Sequence, residues 1–196
     1  MVFHSTMSRF EKPYTPDQDI AARPFRGEAE TRLAPDVVAL CQMGANIIFG
    51  VRGLDGAPIA GLAPACRIVG DRHVRLLVQR KGNDDALLAL TRDSRIAATF
   101  TRISDHRSIQ LKGLDAVIGA VQPEDLRAAT RQARALRDKI IDLELGDAFA
   151  TAYCSYEPAE LVAIQYTPDQ AFTQTPGPGA GTRVAMDDER HDRSDA

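Results

Sequence analysis

Asn46–Val51 (NIIFGV) and Ala57–Val69 (APIAGLAPACRIV) flank Arg52-Gly53-Leu54-Asp55-Gly56. Two β-prone runs separated by two glycines and an aspartate predict a hairpin. Downstream, Gly70-Asp71-Arg72 reads as another tight turn, leading into HVRLLVQ. There Val74, Leu76 and Val78 alternate with His73, Arg75 and Leu77, the period of a strand. Asp84–Thr91 (DDALLALT) reads as a short helix that Asp84 caps. Arg95–Arg102 is again a strand, with Ile96, Ala98 and Phe100 on one face. The polar turn Ser104–Arg107 then leads into Ser108–Val121, one long strand that Gly113 bends.

Further out, Pro35 opens a short helix, PDVVALCQMG. Pro123 starts a long one reaching to about Ala150. Its predicted apolar stripe is Leu126, Ala129, Ala133, Leu136, Ile140 and Leu143. Glu160–Tyr166 is read as the last strand. The count is about six strands joined mostly by short turns, so antiparallel pairing dominates. The absence of a βαβ alternation argues against a doubly wound sheet. The predicted fold class is mainly β: a small, partly open β-barrel with flanking helices and one long C-terminal helix. Residues 1–32, broken by prolines and Gly27, read as an extended arm. Residues 33–174 form the expected domain. Residues 175–196, beginning TPGPGAG and ending DDERHDRSDA, read as a flexible acidic tail.

The chain has 196 residues, 44% of them hydrophobic and 26% charged, with a formal net charge of −3. It lacks the basic excess that nucleic-acid binders use. No apolar run is long enough to span a membrane, and the N-terminus lacks the apolar core of a secretory signal. A cytoplasmic protein is expected, with no nucleic-acid or membrane partner. Cys41, Cys66 and Cys154 stand apart, which argues against a disulfide framework. His4, His73, His106 and His191 fall on an arm, a strand, a turn and a tail, so no metal site is expected. Arg127, Arg131 and Arg134 share a helix face, and the plainer reading is a solvated surface.

Val78–Asp85 (VQRKGNDD) carries more chemistry. Arg80 and Lys81 precede a glycine and a helix start, the elements of a phosphate site. Asp84 and Asp85 at the same helix start speak for the other reading, a polar loop with a capped helix. Both readings stand on the sequence.

The order of these elements resembles the pyridoxamine 5′-phosphate oxidase-like split barrels over about Ala45–Val121. Leu54-Asp55-Gly56-Ala57-Pro58 is similar to that family's D-x-G-x-P hairpin. Thr91–Phe100 (TRDSRIAATF) is similar to its passage of helix, N-P-R and buried strand, with Asp93-Ser94 in place of Asn-Pro. Arg107–Gly113 (RSIQLKG) resembles the strand that follows, and Ala171–Gly181 the ending of some members.

The resemblance implies a split β-barrel of the FMN-binding type, paired into a homodimer, with FMN in grooves across the interface. Arg80, Lys81 and Arg107 would then hold the phosphate. Gly61 and Ala63 would let the ring approach the backbone. Ser108, with Gln110 two residues on and on the same face, stands where a flavin-contacting glutamine often falls. The chain departs from the family at Asn83–Ala86, where Ser-Arg-Lys is usual, and at Gly61, where a strand arginine is usual. The implied activity is a flavin-dependent oxidoreductase of unnamed small-molecule substrate, with no catalytic residue assigned. The alternative is a binding or sensing protein on the same fold that has lost FMN, or holds haem or a deazaflavin.

Overall fold

A computed structural model of the chain describes residues 31–188; most of the N-terminal arm, His4, His191 and residues 189–196 lie outside the described residues. After β1 (Thr31–Arg32) come α1 (Pro35–Gln42), β2 (Asn46–Arg52), β3 (Pro58–Ala63), β4 (Ala65–Val69), β5 (His73–Gln79) and α2 (Asp84–Leu90). Then follow β6 (Ile96–Thr101), β7 (Ser108–Gly113), β8 (Val117–Gly119), α3 (Pro123–Asp142) and α4 (Asp147–Tyr153). The described chain closes with β9 (Leu161–Tyr166), β10 (Pro168–Thr173), β11 (Arg183–Val184) and β12 (Asp187–Asp188). Two antiparallel sheets, in the orders β11-β10-β7-β6-β2-β3 and β4-β5-β9-β8, enclose the main core. The fold is mainly β with helices outside, as the sequence predicts, but the described residues hold more than the six strands expected.

The extra strands arise because the chain changes sheet where the sequence reads straight on. The run Ala57–Val69 breaks at Pro64: β3 joins the larger sheet and β4 the smaller. A proline has no N–H for a ladder, so it sits well at such a corner. The run Ser108–Val121 likewise ends at Gly113 and restarts as β8 in the other sheet. A Cβ on Gly113 would stand 2.5 Å from the Tyr166 ring and 2.8 Å from the Thr167 carbonyl. There the crossing from β7 to β8 meets the crossing from β9 to β10. The two are tied by the Thr167 N–H donating to Asp115 (2.8 Å). The sheet also runs past the boundary expected at residue 174, since β11 pairs with β10.

The hairpin forms as predicted. The Ala57 N–H donates to Asp55 Oδ1 (2.9 Å), and Gly56 takes the left-handed φ of +85° that the turn requires. The long helix is shorter than expected. α3 stops at Asp142, Glu144 and Gly146 adopt positive φ, and a separate α4 follows. Ala129, Ala133, Leu136 and Ile140 of its stripe are buried, but Leu126 and Leu143 are 40% and 43% exposed. Arg127 and Arg134 pair with Glu124 and Asp138 on the same helix, the solvated face expected. Asp84 is not a cap: Asn83 precedes the first turn of α2, and Asp84 lies within it.

Phe49, Phe100, Leu76, Leu111, Ile164 and Tyr166 fill the space between the sheets, each at most 1% exposed. α3 covers the outer face of the smaller sheet, packing Ala129 over Ala65, Leu77, Leu161 and Ala163. This is why β5 is buried on both faces rather than on alternate residues. Arg75 is 6% exposed and lies against Asp125 of α3. Among the described residues no helix is long and apolar enough to cross a membrane.

Candidate functional site: a groove along the open edge of β3

β3 and β4 are the edge strands that face the split between the two sheets. Their edges are treated differently. Along β4, the Cys66 N–H donates to Gln132 Oε1 (3.2 Å) and the Gln132 amide donates back to the Cys66 carbonyl (2.6 Å). The Ile68 N–H donates to Gln42 Oε1 (3.2 Å). Two glutamines, one from α1 and one from α3, thus stand in for a missing strand.

β3 has no such cover. The Gly53 N–H donates to the Ala57 carbonyl (2.7 Å), which fixes that pair as hydrogen-bonded. Bonded and non-bonded pairs alternate along an antiparallel ladder, and β3 runs in register with Val51↔Ile59, Gly50↔Ala60, Phe49↔Gly61 and Ile48↔Leu62. Ile59, Gly61 and Ala63 therefore bond to β2. The N–H and C=O of Ala60 and Leu62 point the other way, and no loop or side chain among the described residues bonds to them. Pro58 falls at an outward position too, where its missing N–H costs nothing.

These outward groups border a groove of about 380 Å³. One wall is β3 from Ala60 to Ala63 with Pro64 after it, and the opposite wall is the β5–α2 loop with Gln79, Lys81 and Asn83. Ala133 and Leu136 of α3 form an apolar floor, and Tyr153, Cys154 and Ser155 close the end. The Tyr153 hydroxyl donates to Asn46 Oδ1 (2.8 Å), and its ring stacks on Phe149 at 5.5 Å between centroids. The Asn83 amide donates to the Gln79 carbonyl (2.9 Å), and Gln79 Oε1 accepts from the Glu157 N–H (2.8 Å). Partial burial pushes the Cys154 thiol above its ordinary pKa, against the opposing pull of Arg137. Cys154 is thus a protonated wall rather than a thiolate.

Of the residues singled out in the sequence, Gly61, Ala63 and Lys81 meet in this groove. Gly61 has a packing reason as well: a Cβ there would stand 2.2 Å from Asn83 Oδ1 and 2.6 Å from the Phe49 ring. Arg80 is exposed, and its N–H donates to the Glu160 carbonyl (2.8 Å). Arg107 is ion-paired with Asp36 at the start of α1. Ser108 and Gln110 share a face, as expected, opposite Thr101 and Thr99 in the register. Ser108 hydrogen-bonds the Thr101 hydroxyl (2.9 Å) and Gln110 the Thr99 hydroxyl (3.2 Å). Lys81 lines this groove, and Arg80 and Arg107 do not. Sequence reasoning missed Asn46, Gln79 and the Tyr153–Ser155 turn, whose roles depend on where α4 lands.

No family model matches the chain, and no curated protein matches it by sequence. Solved structures do. HupZ of Group A Streptococcus is similar at 12% identity and TM-score 0.48, over 76% of this chain and 99% of that one. An F420 reductase is similar at 15% identity and TM-score 0.47, over 68% and 93%. A putative pyridoxamine 5′-phosphate oxidase from Lactobacillus delbrueckii is similar at 15% identity and TM-score 0.46, over 72% and 93%.

Proposed function

We propose that the chain is a homodimeric flavin-binding oxidoreductase of a small-molecule substrate, with the flavin ring seated along β3. The observation that carries this reading is the open edge at Ala60 and Leu62. Main-chain donors and acceptors there face a groove with an apolar floor, which suits a flat heteroaromatic ring whose rim alternates carbonyl, N–H and bare nitrogen. Bound there, a flavin supplies hydride transfer, while the protein supplies position and polarity. No histidine lines the groove, which disfavours haem held by an imidazole. FMN is the form the sequence resemblance implies. Its ring would lie against the apolar floor, and its phosphate would meet a single lining cation, Lys81.

The dimer face proposed is the outer surface of the larger sheet. Ile48 and Leu62 are 45% and 50% exposed there, on neighbouring strands. Ala60 and Leu62 belong both to this face and to the groove rim, so a second subunit seated on it closes the groove. Arg80, Ser108 and Gln110 remain proposed contacts on that basis, Ser108 and Gln110 from the same sheet face. Sedimentation equilibrium should give a dimer at tens of micromolar, and Ile48→Glu with Leu62→Glu a monomer. A monomeric parent protein would overturn the shared groove.

The purified protein, mixed with flavin and desalted, should retain the flavin absorption bands. Ala60→Pro removes one outward N–H without touching the β2 ladder. It should keep the circular dichroism of the parent and weaken flavin binding about tenfold, the cost of one lost hydrogen bond. Protein that passes flavin straight through would refute the reading, and a Soret band would replace it with haem.

A further inference from the structure

We infer that the groove selects flavins that lack a terminal phosphate, a heteroaromatic ring carrying a neutral polyol chain, over FMN. The inference rests on the flavin reading above and asks which end of the ligand this chain accommodates. Ala63, Pro64, Ala133 and Leu136 make one part of the groove apolar, which is where a ring gains by leaving water. The chain attached to the ring then runs toward the polar part, Gln79, Lys81 and Asn83.

Asp84 and Asp85 follow directly, in the first turn of α2. Both are exposed. Neither has an ion-pair partner among the described residues. Arg80 and Lys81 supply two positive charges to this segment and the two aspartates remove them, so residues 80–85 carry no net charge. The α2 N-terminus offers no compensation, because its own first turn is already acidic. A phosphate dianion brought here gives up hydration with no net attraction in return. Neutral hydroxyls have suitable partners: Gln79 and Asn83 each present an amide group to the groove, and Lys81 donates to a hydroxyl as readily as to a phosphate.

The test titrates riboflavin and FMN against the full chain and follows flavin fluorescence, in low salt at neutral pH. The chain contains no tryptophan, so the flavin signal is read without an indole background. Riboflavin should bind about tenfold more tightly than FMN, the order expected when a phosphate gives up part of its hydration beside a segment that carries no net charge. The double variant Asp84→Asn with Asp85→Asn should tighten FMN about tenfold and leave riboflavin within about twofold. The unchanged riboflavin affinity also shows that the variant is folded. FMN binding as tightly as riboflavin to the parent protein would overturn the selection while leaving the flavin groove intact. A preference that survives the double variant would overturn the role of the aspartates. Failure of both flavins to bind would overturn the inference together with the reading on which it rests.

Discussion

Asp125→Ala should cost about 3–5 kcal/mol of stability, because it strips a buried arginine of its counter-charge. Asp125 is fully buried in the first turn of α3. Arg75 reaches it from β5 through Nη2 (2.7 Å) and Nε (3.3 Å), and Arg67 from β4 through Nε (2.8 Å). Arg75 also donates to Gln165 (2.9 Å) and to the Ala120 carbonyl (3.0 Å), so it cannot swing out to water without breaking further bonds. The carboxylate also accepts the Gln122 N–H (2.9 Å), closing the start of the helix. Thermal melting should move down by roughly 10 °C for a chain of this size. Asp125→Asn should recover part of the loss, since it keeps the shape and the acceptor oxygen.

The same group gives the stability a pH dependence. Burial pushes the Asp125 carboxyl up, but hydrogen bonds from Arg75, the Gln122 N–H and Arg67 outweigh it and hold the pKa below its ordinary value. A carboxylate depressed in this way stabilises the fold fully above its unfolded pKa. That contribution drains as pH falls through the lower, folded value. Acid unfolding of the parent should therefore be steep below the usual carboxylate range. In Asp125→Asn that component should be missing, as urea midpoints measured across acid pH would show.

Gly44→Ala should cost about 3 kcal/mol and also disturb the groove. Gly44 follows α1 with φ +80°, a backbone state that alanine resists. A Cβ there would also stand 2.8 Å from Ala135 Cβ, 2.9 Å from the Gln132 carbonyl and 2.9 Å from the Leu136 nitrogen. Two of these are main-chain atoms of α3 and cannot rotate aside. The helix must move, and it carries Ala133 and Leu136, the floor of the groove, and Gln132, the seal on β4. The variant should melt lower and also bind flavin more weakly than its residual fold accounts for. Gly70→Ala is the control: it too has positive φ (+61°), but nothing lies within 4 Å of its Cβ position, so only the backbone penalty should appear.

The hairpin at Asp55-Gly56, the short α2 and the run of antiparallel strands were legible because each is set by local alternation and turn chemistry. The corners at Pro64 and Gly113 were not. In each case β-prone residues continue on both sides, and only the second sheet, completed by residues far along the chain, explains the change of direction. β10 was invisible because Pro168-Asp169-Gln170 reads as a loop until β7 supplies the register. The burial of Arg75 was not legible, because an alternating strand gives no sign that a helix will cover its second face. The arginine's partner lies 50 residues away.

For the groove, the loop with Lys81 and the small residues of β3 carried a local signal. Arg107 pairs with Asp36, 71 residues away, a contact that nothing in its own neighbourhood announces. The open edge of β3 has no signature in side chains at all, since it is a property of main-chain atoms left over by the topology.

That topology also bears on how the molecule is made. β9 enters the smaller sheet between β5 and β8, and β10 enters the larger one between β7 and β11. Arg75 pairs with Gln165 and Ile109 with Thr173, so neither sheet is complete until the segment 161–173 arrives. During synthesis β5, β7 and β8 wait with bare edges while the helical stretch between them and β9 is still being made. Pairing over such separations is slow. The nascent chain is therefore exposed to mispairing for longer than its modest size suggests, and a release of the chain before Leu161 leaves the larger sheet ending at β7 and the smaller one reduced to the β4–β5 pair.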